Sequence, residues 1–384
     1  MKPKALILMT AAALLAVLAA IWISGARAPE ESAESPGPLV ANLTKQLDTI
    51  TEVRVHTAGP DASTITLKRG EQGWGLVEKH NYPVAMDRLR SLLTAIASAQ
   101  RVEAKTALAE RYPQLGVEDL DHADARGVQV DLVLPERSVS LIFGDSLVRG
   151  TGTYVREVGQ AQSWLIDQAI AVERKPANWL DKKIIDVGAN RIAHVRIEPA
   201  QGEAFELARS DKDSKSDFAL SPIPRGRELA ENYQREALAG LLSGLTFEDV
   251  FAKTNRPMPE KVRHAVFALN DGRQLSIQSW EQDGHTLVQF DMSLDAAVAD
   301  AWLARPLAQA ETATDGTTVS SEPHEAGAEA EAEAGTAAAK PTRADLQAEV
   351  DTFSKAHGNW VYQLPAFKAS NLNKALEDYL KPKG

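Results

Sequence analysis

The sequence predicts an α+β protein, built as two tandem homologous units of antiparallel strands packed with helices after one N-terminal transmembrane helix. Three observations predict it. A long apolar run opens the chain, a strand-like pattern at Ile50 recurs at Ile192, and a leucine-rich helical stripe follows each copy. The 384 residues, 25% charged and 44% hydrophobic, suffice for one large or two mid-sized cores, which excludes a disordered chain. A net charge of −11 leaves no basic surface to offset phosphates, so no nucleic-acid partner is expected. The absence of cysteine excludes disulfides, thiolate zinc sites, iron–sulfur clusters, a cysteine nucleophile and lipidation on an N-terminal cysteine.

Taken in order, the first element is the apolar run. Lys2 and Lys4 precede Ala5 to Ser24, and a helix of that length rises about 30 Å, the thickness of a hydrocarbon core. Residues 1–4 read as a cytoplasmic tip and 5–24 as a transmembrane anchor. Ala26 and Ala28 form a small-x-small pair of the kind signal peptidases cut. Pro29 follows directly, however, and the run exceeds the ~7–15 apolar residues of a signal, so a retained anchor is expected. Positive charge at the short end places everything after Arg27 outside, as a single-pass protein of the bacterial inner membrane with its soluble part in the periplasm. Residues 29–41 are rich in Pro, Glu and Ser and bury too little apolar area to order themselves, so a linker is expected over 29–45.

The first repeat is expected over 46–186. Ile50-Thr-Glu-Val53-Arg54-Val55 alternates as a half-buried strand does, and Thr64 to Leu67 continues it. Pro83 then leads to Met86, Leu89, Leu92, Leu93 and Ile96, whose spacings of three and four make one buried stripe. Further strands are expected at Leu132–Leu134, Val139–Phe143, Thr153–Arg156 and Ser163–Ile166. The second repeat, 187–300 plus 342–380, reproduces the series: Ile192 to Ile197, Ala204 to Leu207, a helix carrying Leu238, Leu241, Leu242 and Leu245, and strands at Val266–Leu269 and Leu275–Ile277. Asn270-Asp271-Gly272 between the last two is a strong hairpin signal. Val102 to Thr106 matches Val250 to Thr254, and Trp164 matches Trp360. A low-complexity acidic insertion, 308–341, interrupts the second repeat with seven acidic residues and reads as a solvated stretch. Beyond it Thr342-Arg-Ala-Asp345 predicts a capping box, with Leu346, Val350 and Phe353 on one helical face.

Candidate chemical motifs each have a structural counterpart. Gly144-Asp145-Ser146-Leu147 spells the nucleophile block of GDSL esterases, but its only Asp-x-x-His, Asp119 to His122, precedes the serine, and a turn between strands is favoured. Glu118, Asp119, Asp121, His122 and Asp124 offer oxygen and imidazole groups to a cation without the spacing of an EF-hand, and a solvated loop is favoured. Gly150-Thr-Gly152 is too short for a phosphate loop. Trp74, Trp164, Trp179, Trp280 and Trp360 sit in strand-like segments and are expected in cores, with an exposed aromatic platform as the alternative.

Gly73-Trp74-Gly-Leu, Tyr82-Pro83-Val-Ala, Glu110-Arg-Tyr112-Pro-Gln-Leu115-Gly116-Val117, Tyr154-Val155-Arg156, Trp164-Leu165 and Trp179-Leu-Asp-Lys-Lys-Ile-Ile185 together resemble the bacterial domain-of-unknown-function 4340 family. The resemblance covers most of residues 46–300 and the last strand and helix. It implies a single-anchor envelope protein encoded beside an ABC transporter and an auxiliary component like those of gliding motility. The implied partners are the transporter permease and auxiliary proteins, with the inner membrane contacted through residues 5–24. The family supplies no catalytic residues, and no catalytic, cofactor-binding or metal-binding residues and no cofactor are expected. The expected function is therefore a non-enzymatic, membrane-anchored periplasmic accessory module of an ABC-type transport system. The alternatives are a periplasmic glycan- or peptide-binding module and a GDSL-type hydrolase using Ser146.

Overall fold

Alternating burial along strands and a few long helical stripes produce the architecture seen in the computed structural model, which describes residues 36–60, 62–209, 217–305 and 341–382. The proposed anchor, 5–24, and nearly all of the acidic insertion lie outside the described residues. Among the described residues, no helix is long and apolar enough to cross a membrane. The described residues form two compact units: those up to 74 with 86–176, and 75–85 with those from 177 onward. The protein is of mixed class, antiparallel sheets with several helices.

In the first unit, a short helix α1 (Leu43–Gln46) leads to β1 (Glu52–Thr57) and β2 (Ser63–Gly70). β3 (Gly73–Leu76) begins there, pairs with β4 (Tyr82–Pro83), and passes into the segment 75–85 that belongs to the second unit. Helix α2 (Met86–Ser98) follows, then β5 (Arg101–Ala104), β6 (Val128–Val133), β7 (Ser138–Ser146), β8 (Thr153–Glu157) and β9 (Ser163–Ile166). The unit's sheet runs β2-β1-β6-β7-β8-β9-β5, all antiparallel. On β1 the alternation puts Val53 and Val55 in the core and Arg54 and His56 on the other face. Helix α2 buries Leu89, Leu92, Leu93, Ile96 and Ala97, the stripe its spacing requires. Packing begins earlier than a linker over 29–45 implies. Leu39, Val40 and Leu43 are buried, and Leu39 N–H donates to the Ala99 carbonyl at 2.8 Å.

The second unit adds β10 (Lys183–Ile185), β11 (Ile192–Glu198), β12 (Phe205–Arg209), β13 (Phe218–Ser221), helix α3 (Tyr233–Ala239), β14 (Leu245–Thr246), β15 (Asp249–Ala252), β16 (Arg263–Leu269), β17 (Arg273–Gln282), β18 (His285–Leu294), α4 (Ala296–Leu303), α5 (Arg343–His357), β19 (Trp360–Gln363) and α6 (Ala366–Leu372). Its large sheet runs β13-β12-β11-β16-β17-β18-β19-β15, and β10 pairs with β14 in a separate ribbon. From β2 and β12 onward the two large sheets share one order: second strand, first strand, a run of three consecutive strands, the last strand, and the strand that follows the helix.

One local outcome differs from the periodicity and one follows it. The leucine stripe of the second unit does not continue to Leu245 as one helix. Gly240 ends α3, a 3₁₀ turn covers Gly240–Leu242, and Gly244 at φ +53° redirects the chain so that Leu245 pairs with Ile185. The capping box forms as its spacing requires: Asp345 N–H donates to Thr342 Oγ1 at 3.3 Å and Thr342 N–H to Asp345 Oδ2 at 2.7 Å.

The second unit's core is centred on aromatic rings. Tyr82 stands edge-on to Trp360, Phe247 and Tyr362 at centroid distances of 4.9, 5.4 and 6.2 Å. His357 Nδ1 lies 2.7 Å from the Tyr362 hydroxyl, which donates to the neutral ring. Burial pushes His357 down to about 4 and Tyr82 up to about 12, and holds Tyr362 above the usual phenol range.

The unfolded chain takes up the His357 proton near pH 6.5, whereas the folded unit resists it until about 4. Stability contributed by the neutral ring is therefore complete above pH 6.5 and declines as pH falls toward 4, by roughly 2–3 kcal/mol. Urea melts at pH 7 and 4.5 check this. The pH-dependent loss is expected to shrink in His357→Gln, even though that variant is less stable at pH 7.

Candidate functional site

The first unit carries a polar cleft where three strands run side by side. His56 on β1 lies directly opposite Thr64 on β2 and Gln129 on β6, and Asp131 stands two residues along β6 on the same face. The imidazole bridges its neighbours, with Nε2 2.9 Å from Asp131 Oδ2 and Nδ1 3.1 Å from Thr64 Oγ1. Asp131 Oδ1 also accepts from Gln129 Nε2 at 2.8 Å. A neutral ring that donates from Nε2 to the carboxylate accepts from the Thr64 hydroxyl at Nδ1. Thr57, Ser63 and Leu120 complete the lining of an open cleft of about 400 Å³. It can exchange hydrogen bonds with a polar ligand and polarise one hydroxyl.

The second unit holds a cleft of about 240 Å³ lined by Arg191, Arg273, Trp302, Leu346 and Glu349. Asp271, 2% exposed, sits beneath it. It accepts from Arg191 Nη2 at 2.7 Å, from Arg273 Nη2 at 2.6 Å and from Arg273 N–H at 3.1 Å. Arg273 also pairs with Glu349 on α5. Burial opposes ionisation of Asp271, but the hydrogen bond and charge of Arg273, with Arg191 behind, outweigh it and hold the carboxyl below its usual range. Each charge here already has a partner, so the cluster ties α5 to the β16–β17 turn.

Ser146 ends β7 rather than standing in a turn, and it pairs across to Thr153. No imidazole hydrogen-bonds it among the described residues. The glycine before it serves packing. A Cβ on Gly144 would lie 2.1 Å from the Leu115 carbonyl oxygen, because the loop 108–127 crosses β7 at that point. Asp119 is engaged by Arg156, while His122 is exposed beside Asp121. Glu118 departs from the expected solvated loop: it is 8% exposed, and its Oε2 has no hydrogen-bond partner among the described residues. No three carboxylate, imidazole or thiol groups converge there or elsewhere among the described residues. Gly150 and Gly152 shape the β7–β8 hairpin. Trp74, Trp164, Trp179 and Trp280 are core residues, and Trp360 packs on Tyr82.

Two of the motif segments behind the family resemblance, Glu110 to Val117 and Tyr154 to Arg156, meet at one buried guanidinium. Arg156, 2% exposed, donates to the Val117 carbonyl at 2.9 Å, to the Gln160 carbonyl at 3.1 Å and to Asp119 Oδ1 at 2.5 Å. It stacks 4.5 Å over the Tyr112 ring, whose hydroxyl donates to the Ala161 carbonyl at 2.6 Å. Tyr112, Val117 and Ile142 form a cluster with Leu115 and Tyr154. The cluster binds loop 108–127 to the sheet.

Sequence reasoning missed His56, Thr64 and Asp131, because the imidazole and carboxylate are 75 residues apart and become neighbours only through strand register. The available signal was alternation, which sends all of them to one face but does so for any solvent-facing residues. Arg191 and Asp271, 80 residues apart, were hidden in the same way.

Arg156→Met is expected to cost roughly 3 kcal/mol or more, since it strands two carbonyls and Asp119, and Arg156→Lys recovers only part of that. Ser146→Ala is expected to stay within about 0.5 kcal/mol. Denaturant midpoints of the three variants check both statements.

A family model described as domain of unknown function (DUF4340) matches residues 74–265. No curated protein and no solved structure matches the chain. The matched stretch contains the Tyr112–Arg156 cluster, takes in half of the sequence, and establishes that this chain belongs to the DUF4340 family.

Proposed function

We propose that the protein is a non-enzymatic accessory module of an ABC-type transport system, anchored in the bacterial inner membrane by residues 5–24 and working in the periplasm beside gliding-motility-like auxiliary proteins. The observation that carries this reading is the use made of the motif residues. Tyr112, Leu115, Val117 and Arg156 are consumed in packing and in hydrogen bonds to one another and to backbone carbonyls, so these motif residues serve shape. The apolar run of spanning length supports the tether, and the shared strand order of the two large sheets supports descent of both units from one duplicated ancestor. A duplicated, tethered scaffold suits docking, in which affinity comes from surface patches.

A second reading, a periplasmic module for a glycan or peptide, is favoured by the open His56–Thr64–Gln129 cleft and its several hydrogen-bonding groups. Binding of this kind would be lost in Asp131→Asn and Thr64→Val while the fold persisted.

Purification of the full chain from native membranes in mild detergent tests the main reading. Transporter permease or auxiliary subunits are expected to co-elute in near-equal amounts, and recovery of the anchored protein alone would overturn the assignment.

A further inference from the structure

We infer that the β7–β8 hairpin tip, Leu147–Thr151, is a lipid-contacting loop that seats the first unit on the membrane surface. The inference rests on the anchor proposed above. Val148 is fully exposed at 100%, at the tip of a hairpin whose base is tightly closed. Leu147 N–H donates to the Gly152 carbonyl at 3.0 Å, and Gly150 turns at φ +95°. A Cβ on Gly152 would meet the Ile166 carbonyl at 2.7 Å, so the base of the tip is fixed against β9. The loop projects Val148 and Arg149 together. Arg149 is exposed and has no ion-pair partner among the described residues.

Strand register places this tip at the end of the sheet where the chain arrives from the anchor. Ser146 is opposite Thr153, Thr153 opposite Ile166, and Ile166 opposite Arg101, while Pro38 bridges Gln100 beyond β5. At about 4.8 Å per strand, the tip and Pro38 lie roughly 15–20 Å apart across that end. Eleven residues, 25–35, separate the proposed span from the described chain and reach at most about 40 Å. Pro38, fourteen residues from the end of the proposed span, is therefore held within about 50 Å of the bilayer.

The local charges agree with a lipid surface. Asp145 is paired with Arg126 at 3.0 Å, and Asp167 accepts from Gln100 N–H at 2.8 Å, so the carboxylates beside the tip are engaged. Of the acids at 119–124, Asp119 is held by Arg156, while Asp121 and Asp124 are exposed in the loop before β6. A guanidinium can bind lipid phosphate through two parallel hydrogen bonds while the neighbouring valine leaves water. One such pair is a weak contact alone. Tethering makes it intramolecular, which raises its effective concentration and lets a weak contact set orientation.

Because the chain has no cysteine, Val148→Cys and Glu136→Cys each create a single labelling site, at the tip and at the turn on the opposite end of the sheet. The full chain, labelled with an environment-sensitive dye, is reconstituted in phosphatidylethanolamine–phosphatidylglycerol vesicles containing nitroxide lipid. Quenching at position 148 is expected to exceed that at 136 by about two-fold or more, and to fall when Arg149→Glu is added. Protein that washes off the vesicles at alkaline pH would remove the anchor and this inference with it. Protein that stays bound with equal quenching at both positions would overturn the inference alone. A signal at 148 that appears only in native membranes would also overturn it, by showing that a protein occupies the tip.

Discussion

A guanidinium buried to 2% exposure can persist only when its donors are met, and Arg156 meets this condition by organising an otherwise irregular stretch of chain. Between β5 and β6 the first unit has twenty-three residues without a strand or α-helix, from Lys105 to Gly127, of the kind that packed domains seldom tolerate. The stretch is ordered because it is fastened at several points. Arg156 takes the Val117 carbonyl and Asp119, Tyr112 inserts beneath the guanidinium, and Asp145 N–H donates to the Leu115 carbonyl at 2.8 Å. Gly116, Gly127 and Gly144 let backbone cross backbone, since a Cβ on Gly127 would come within 2.5 Å of the Gly116 carbonyl. Polar groups of the crossing strands thus satisfy one another in place of water.

The second unit solves the same covering problem with different means. Where the first unit joins β8 to β9 by a short turn, the second sends the chain out through α4 and back through α5 before β19. Helix α5 lies along β18, with Phe353 edge-on to Phe290 and Ser354 Oγ donating to the Met292 carbonyl. Its middle is held by Glu349 on Arg273, above the buried Asp271. Aromatic packing and one neutral histidine supply in this unit what a cation stacked on tyrosine supplies in the other. Like strand orders do not require like chemistry, because a sheet face accepts any cover that excludes water and pairs the polar groups it buries.

Much of this architecture was legible along the chain, for a physical reason. Period-two alternation at Val53–Val55 and Val195–Ile197, the stripe from Leu89 to Ile96, the Asn270-Asp271-Gly272 turn and the Thr342–Asp345 box are all local signals, and each local preference agrees with its tertiary role. What escaped was non-local. Leu245 carries helical spacing yet serves a strand, because Gly240 and Gly244 interrupt the helix. Residues 75–85 lie within the expected span 46–186 but join the second unit, since Tyr82 finds its rings at Phe247, Trp360 and Tyr362. The polar cleft at His56 was invisible for the same reason: register creates it, and register is not written in any one strand.

That loan of eleven residues has a bearing on biosynthesis. Tyr82 leaves the ribosome well before Phe247 and long before Tyr362, so its hairpin must wait, without its ring partners, while most of the remaining chain is translated. Expression of residues 177–384 by themselves would omit a buried ring, Tyr82, from the aromatic centre. The second unit is therefore complete only when a segment from early in the chain has joined it.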